Sequence, residues 1–128
     1  NGLMVPVIRD VDKKGLYELA EESVALAKAA KDRKLKPADM KGGCFTISSL
    51  GGMGGKGFTP IVSPPEVGIL GVSRLSTQPV WNGSEFVPRQ MLPLSLSYDH
   101  RVVNGADAGR FFADLSAYLN DVRRLLLG

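Results

Sequence analysis

"LPLSLSYDHRVVNGADAGRF", residues 92–111, changes its periodicity halfway through. Up to Tyr98, Leu92, Leu94, Leu96 and Tyr98 fall on one side and Pro93, Ser95 and Ser97 on the other. That is the period of two of a half-buried strand. Pro93 has no N–H to give a ladder, which predicts an edge position or a bulge. After Asn104 the spacing becomes helical. Phe111, Leu115, Tyr118, Val122 and Leu125 recur at alternating intervals of four and three, and Phe112, Leu119 and Leu126 widen the stripe. Asn104 is a good N-cap, and Asp107 puts negative charge in the first turn. Between strand and helix lies the chain's one histidine, His100.

Other segments extend this pattern in both directions. "GLMVPVI" (2–8) is a continuous apolar run and predicts a buried strand. From Asp12 to about Lys34 the pattern is helical, with Leu16, Leu19, Ala20, Val24 and Ala27 on one face. Gly15 weakens that helix a little and Pro37 closes the region. "CFTISSL" (44–50) and "VGILGV" (67–72) predict strands, and Asn82-Gly83 within "QPVWNGSEFVP" predicts a hairpin. Pro64 and Pro65 exclude helix from the stretch before "VGILGV" and point to an ordered surface loop. Strands and helices mix throughout, so the class is α/β or α+β, read as two layers with a mixed sheet and flanking helices.

Composition narrows the function. At 128 residues the chain has the length of one domain, and 44% hydrophobic with 23% charged residues is ordinary for a globular protein. The net charge of +3 is mild, with no block of like charges and no basic stretch interleaved with aromatics, which argues against nucleic acid. No apolar run is long enough to span a bilayer, and "NGLMVPVIRD" lacks the basic start and apolar stretch of a signal peptide. Cys44 has no second cysteine to pair with. Inside "CFTI" it is expected to be a small buried residue in a reducing compartment. One histidine and no cluster at ligand spacing leave no metal site.

Two glycine patterns invite over-reading. Gly52-x-Gly54-x-x-Gly57 has the letters of a dinucleotide fingerprint, and Lys56 suggests a phosphate loop. Both chemistries need a helix immediately afterwards, and Pro60, Pro64 and Pro65 forbid one. A turn, or a close backbone approach, is the better reading.

"SYDHRVVNGADAGRF" resembles the C-terminal motif of the dihydrolipoyl acyltransferases of 2-oxo acid dehydrogenase complexes, whose usual pattern is Asp-His-Arg-x-x-Asp-Gly. "VPVIRDVDKKGLYELAEE", "FTISSLG", "FTPIVSPPEVGILGV" and "LPLSLSYDHRVVNGADA" follow in the family's order, so the resemblance covers essentially the whole chain. "LPLSLSYDHRVVNGA" looks most like the acetyltransferases of the pyruvate complex. The resemblance implies a chloramphenicol-acetyltransferase-like catalytic domain, of which this is the C-terminal portion. The first half of the domain, the lipoyl domain and the peripheral-subunit-binding domain would lie outside it.

The implied chemistry is acetyl transfer between coenzyme A and a dihydrolipoyl thiol, with the lipoyl group carried on an absent domain and no metal. A free thiol titrates near ~8.5, so a base is needed at neutral pH. A histidine titrating near ~6.5 suits that role. His100 is implied as the general base, and Ser48 as the donor to the tetrahedral oxyanion. Ser48 and Ser49 point to opposite faces of a strand, so only one can serve. Phe58 matches an aromatic position near the substrate channel, with a packing role equally open. Asp99 and Arg101 diverge from His100 and are read as structural, in an ion pair that fixes the loop. Asn104 stands where the family's usual pattern has Asp. It rules out a charge-backed triad, so His100 is expected to be oriented by a backbone carbonyl, with Asn104 assisting through polarity.

The implied assembly is a homotrimer with its active site between neighbours, building a larger hollow core through the apolar "LLLG" tail. Implied partners are lipoyl domains and the dehydrogenase and dihydrolipoyl dehydrogenase components. The setting would be the cytoplasm of a bacterium or the mitochondrial matrix of a eukaryote. Two alternatives are a non-catalytic trimer-building scaffold and a succinyl- or branched-chain-acyl transferase of the same family. A chloramphenicol-acetylating enzyme shares the histidine logic but not the wider motif set.

Overall fold

The computed structural model of the chain describes residues 4–49, 59–121 and 123. Phe58, the glycine-rich stretch around Lys56 and the "LLLG" tail lie outside the described residues. The chain divides into two compact units, Asn1–Cys44 and Phe45–Gly128.

In the first unit, residues 4–10 form no strand, and Met4 and Val5 are exposed. The apolar run was expected to be buried, but its described part has no neighbouring strand to pair with. The segment is instead held by a few bonds: Val7 N–H donates to the Asp39 carbonyl at 2.9 Å, and the Arg9 guanidinium donates to the carbonyls of Ala38 (2.6 Å) and Lys41 (2.8 Å). A short 3-10 turn, Val11–Lys13, leads to helix α1, Leu16–Lys31. Gly15 is the N-cap of α1 and lies outside the helix, so the expected interior-glycine cost does not arise. The covered side of α1 runs through Leu19, Glu22, Leu26, Ala29 and Ala30. Of the face expected to be buried, only Leu19 is on that side; Leu16, Ala20, Val24 and Ala27 are exposed. Glu22 can sit on the covered side because Lys14 Nζ pairs with its carboxylate at 2.5 Å.

The second unit is organised around a three-stranded mixed sheet of β1 (Thr46–Ser49), β2 (Gly68–Val72) and β5 (Leu94–Tyr98), in the order β1-β2-β5. β1 runs parallel to β2 and β5 antiparallel to it. The central strand is covered on both faces, so Gly68, Ile69, Leu70 and Gly71 are all buried. Gly68 leaves little room: a Cβ there would lie 3.1 Å from the Phe45 ring, which would have to shift by a few tenths of an ångström. Phe45 meets Phe111 of helix α2 (Gly105–Asn120) with ring centroids 5.9 Å apart, tying the entrance of β1 to the helix.

Among the described residues β5 is an outer strand, as Pro93 predicts, and the Pro93 carbonyl accepts from Ser73 N–H at 3.0 Å. Its expected alternation of buried and exposed faces is absent, because all five residues are half-buried. Ser97 shows why: its hydroxyl donates to the Pro60 carbonyl at 2.6 Å, so the 59–67 segment covers the serine side as well. That segment contains no helix, in line with its prolines. Cys44, expected to be buried, is exposed just before the sheet begins.

A separate hairpin pairs β3 (Ser76–Trp81) with β4 (Phe86–Met91). Its loop spans residues 82–85, longer than the two-residue turn that Asn-Gly suggests. Asn82 Oδ1 accepts from the N–H groups of Ser84 and Glu85, and Gly83 has φ 104°, which glycine tolerates best.

Candidate active site

β5 continues its pairing one residue past its end, where Asp99 N–H donates to the Val67 carbonyl at 2.8 Å. The chain then turns, and the Asp99 carbonyl accepts from both Val102 N–H and Val103 N–H at 2.9 Å. The Asp99 carboxylate closes the same turn from the side-chain direction. Its Oδ1 accepts from Arg101 N–H and Nε at 3.0 Å, and its Oδ2 from Nη2 at 2.8 Å. These bonds from Arg101, the guanidinium foremost, hold the Asp99 carboxyl down to about 2 from an ordinary 3.8. The expected loop-fixing ion pair is therefore present.

His100 sits between the two partners and is exposed. Its ring lies 5.7 Å from that of Tyr98, tilted by 37°. Sequence reading assigned Tyr98 only to the strand. The signal was available, since residues two apart on an extended chain share a face. Among the described residues no hydrogen bond reaches the imidazole, so the expected orienting carbonyl is not among them. Asn104 is the N-cap of α2, as predicted, with Oδ1 accepting from Asp107 N–H at 2.8 Å. That bond commits the oxygen to the helix, while Asp107 itself pairs with Arg110.

Ser48 lies on β1, half-buried on the same side as Thr46; Ile47 and Ser49 are exposed on the other side. The two serines thus face opposite ways, as expected. Thr46 Oγ1 donates to Glu66 at 2.5 Å, linking β1 to the 59–67 segment. Register fixes where Ser48 lies relative to the histidine. Ser48 is opposite Gly71, and Gly71 is opposite Ser95, four residues before Asp99. Two strand spacings and four residues of rise put the Asp99 backbone about 16 Å from Ser48. One chain therefore brings His100 and Asn104 into one loop, which starts at Asp99, about 16 Å from Ser48.

An open cleft of about 420 Å³ lies at this end of the sheet, walled by Val62, Pro64, Tyr98 and Val102 together with Asp99 and Arg101. Neither His100 nor Ser48 lines it.

A mixed sheet that delivers a histidine to a capped helix, with a serine on its outer strand among the described residues, defines an α/β chain with a histidine at a strand end. The model for the catalytic domain of 2-oxoacid dehydrogenase acyltransferases matches residues 1–127, and the chain belongs to that family.

Over 127 residues the chain is 62% identical to the dihydrolipoyllysine-residue acetyltransferase component of the pyruvate dehydrogenase complex of Pseudomonas aeruginosa, covering 99% of this chain and 23% of the relative. For the component of the same name from Haemophilus influenzae the figures are 58%, 99% and 22%. Among solved structures, the cubic core of a pyruvate dehydrogenase multienzyme complex matches with a TM-score of 0.91 at 60% identity, over 96% of this chain and 51% of that one. Azotobacter vinelandii dihydrolipoamide acetyltransferase, studied for the role of a serine, a histidine and an asparagine in its catalytic mechanism, matches with a TM-score of 0.91 at 59% identity and the same coverages. The chain thus spans under a quarter of these curated relatives and about half of the solved core chains.

Proposed function

We propose that this chain is the C-terminal half of an acetyltransferase catalytic domain of the pyruvate dehydrogenase complex, and that it moves an acetyl group between coenzyme A and a dihydrolipoyl thiol. One observation carries the reading. The serine, histidine and asparagine studied in the Azotobacter enzyme are separated along its chain as Ser48, His100 and Asn104 are here. An asparagine at this position is thus compatible with catalysis, which removes one motive for the non-catalytic scaffold. The names of the relatives favour acetyl over succinyl or branched-chain groups.

In the proposed reaction His100 takes the proton of the attacking thiol as its sulfur bonds to the thioester carbonyl carbon. The carbonyl oxygen becomes an oxyanion and accepts a hydrogen bond from the Ser48 hydroxyl. Collapse expels the second sulfur as thiolate, which recovers a proton from the imidazolium. Coenzyme A and the dihydrolipoyl group are the substrates.

Since one chain holds Ser48 about 16 Å from the Asp99 backbone that leads into His100, the serine in each site comes from a neighbouring copy in a homotrimer. The trimers build the larger core, to which lipoyl domains and the two dehydrogenase components attach, in the cytoplasm if the source is a bacterium and in the mitochondrial matrix if it is a eukaryote. Burial supports a missing half: among the described residues the buried hydrophobic side chains are Ile69, Leu70 and Ala108.

The test is acetyl transfer from acetyl-CoA to dihydrolipoamide by the assembled full-length protein. His100→Ala and Ser48→Ala are each expected to be nearly inactive. Co-assembling the two variants should restore roughly a quarter of the sites, because a site shared head to tail needs only one intact group from each chain. No recovery on mixing would overturn the shared site. Full activity of His100→Ala would overturn the base.

A further inference from the structure

We propose that Asp99, clasped by Arg101, is the positioning residue of the base: it fixes the backbone turn that carries His100. The inference rests on the reading of His100 as the base and goes beyond it.

Asp99 uses every polar group it has. Its N–H and carbonyl anchor the turn to Val67, Val102 and Val103, and its carboxylate takes three bonds from Arg101. A two-oxygen acceptor facing a guanidinium fork fixes orientation as well as distance, and a closure over two residues costs little chain entropy. His100 has no hydrogen-bond partner among the described residues. Its place is thus set by the backbone at Asp99 and by the Tyr98 ring at 5.7 Å.

The other charged groups around this loop are Glu66, which shares the cleft wall and is held by Thr46, and the Asp107–Arg110 pair at the start of α2. The variants below leave all three in place.

The experiment measures kcat and KM for acetyl transfer from acetyl-CoA to dihydrolipoamide by the assembled full-length protein. Asp99→Asn and Arg101→Gln each open the clasp, and the double variant opens it no further. All three should lower kcat by about tenfold or more with KM within about twofold, since small misplacement of a reacting group is costly. Unchanged kcat in both single variants, losses that multiply in the double variant, or a rise in KM that accounts for the loss would overturn the proposal. If Asp99→Asn does not assemble, Arg101→Gln and Arg101→Lys decide alone. Lysine keeps the charge without the fork, so it should lower kcat as well. Wild-type kcat in both would overturn the proposal. His100→Ala separates the two readings: if it is active the base itself is wrong, whereas if it is inactive beside fully active clasp variants only the clasp is.

Discussion

The molecule builds the same small device twice. Asp99 and Arg101 form one Asp-x-Arg clasp, and Asp121 and Arg123 form another, with the arginine N–H and Nε on one carboxylate oxygen and Nη2 on the other in both. The second is looser, at 3.1–3.2 Å against 2.8–3.0 Å. It follows α2, where the remaining anchor is Asp121 N–H on the Tyr118 carbonyl at 3.3 Å. The first joins a strand to a helix and encloses the histidine. Sequence spacing alone is enough to make such a clasp. What distinguishes the first is the paired strand before it and the histidine inside it.

The comparison can be broken at several levels. The largest effect should come from the enclosed residue itself. On the reading of His100 as base, His100→Ala lowers kcat by about 10²–10⁴-fold in the assembled protein. A matched change at the other clasp, Asp121→Asn, should leave the rate within about twofold; a large loss there would erase the distinction. Next is the helix that follows the first clasp. Asn104→Ala removes the cap of α2 and should cost about 1 kcal/mol in thermal or denaturant unfolding. Asn104→Asp should cost little, because the two residues cap almost equally well, and it should keep most of the activity.

The smallest effect is in the carboxyls. Both are lowered by their arginines, chiefly through side-chain hydrogen bonds. Each clasp is therefore intact above the ordinary carboxylate range and is lost as pH falls through the folded value, about 2 for Asp99. A carboxyl-detected NMR titration should place Asp99 lower than Asp121, with both below 3.8. The reverse order would show that clasp length does not govern the charge.

The parts legible in the sequence were those decided within a few residues or by burial on every side. The Asn104 cap depends on a bond three residues away, the Asp99–Arg101 pair on one two residues away, and β2 reads as buried whatever covers it. The misreadings concern partners distant along the chain. An apolar run at 2–8 shows that cover is wanted, not that a strand is there to supply it. Helical spacing in α1 gave several apolar faces, and the pattern could not choose between Val24 and Leu26. Cys44 looked buried beside apolar neighbours because exposure is set by what lies across from them. For the site, His100 and its flanks were evident, but the gap to Ser48 depends on a three-strand register that no local spacing encodes.

β1 has a further consequence, for handling the protein. Among the described residues it is an outer strand, and its Ile47 side chain is 67% exposed on the side away from Ser48. An uncharged, apolar sheet edge is a template for pairing with another chain, and natural edges are commonly protected by a lysine. "FTISS" contains no such gatekeeper. The chain produced alone therefore carries an aggregation hazard one residue from its candidate oxyanion donor. Alternation along the strand separates the two, so a lysine in place of Ile47 would protect the edge and leave the Ser48 face untouched.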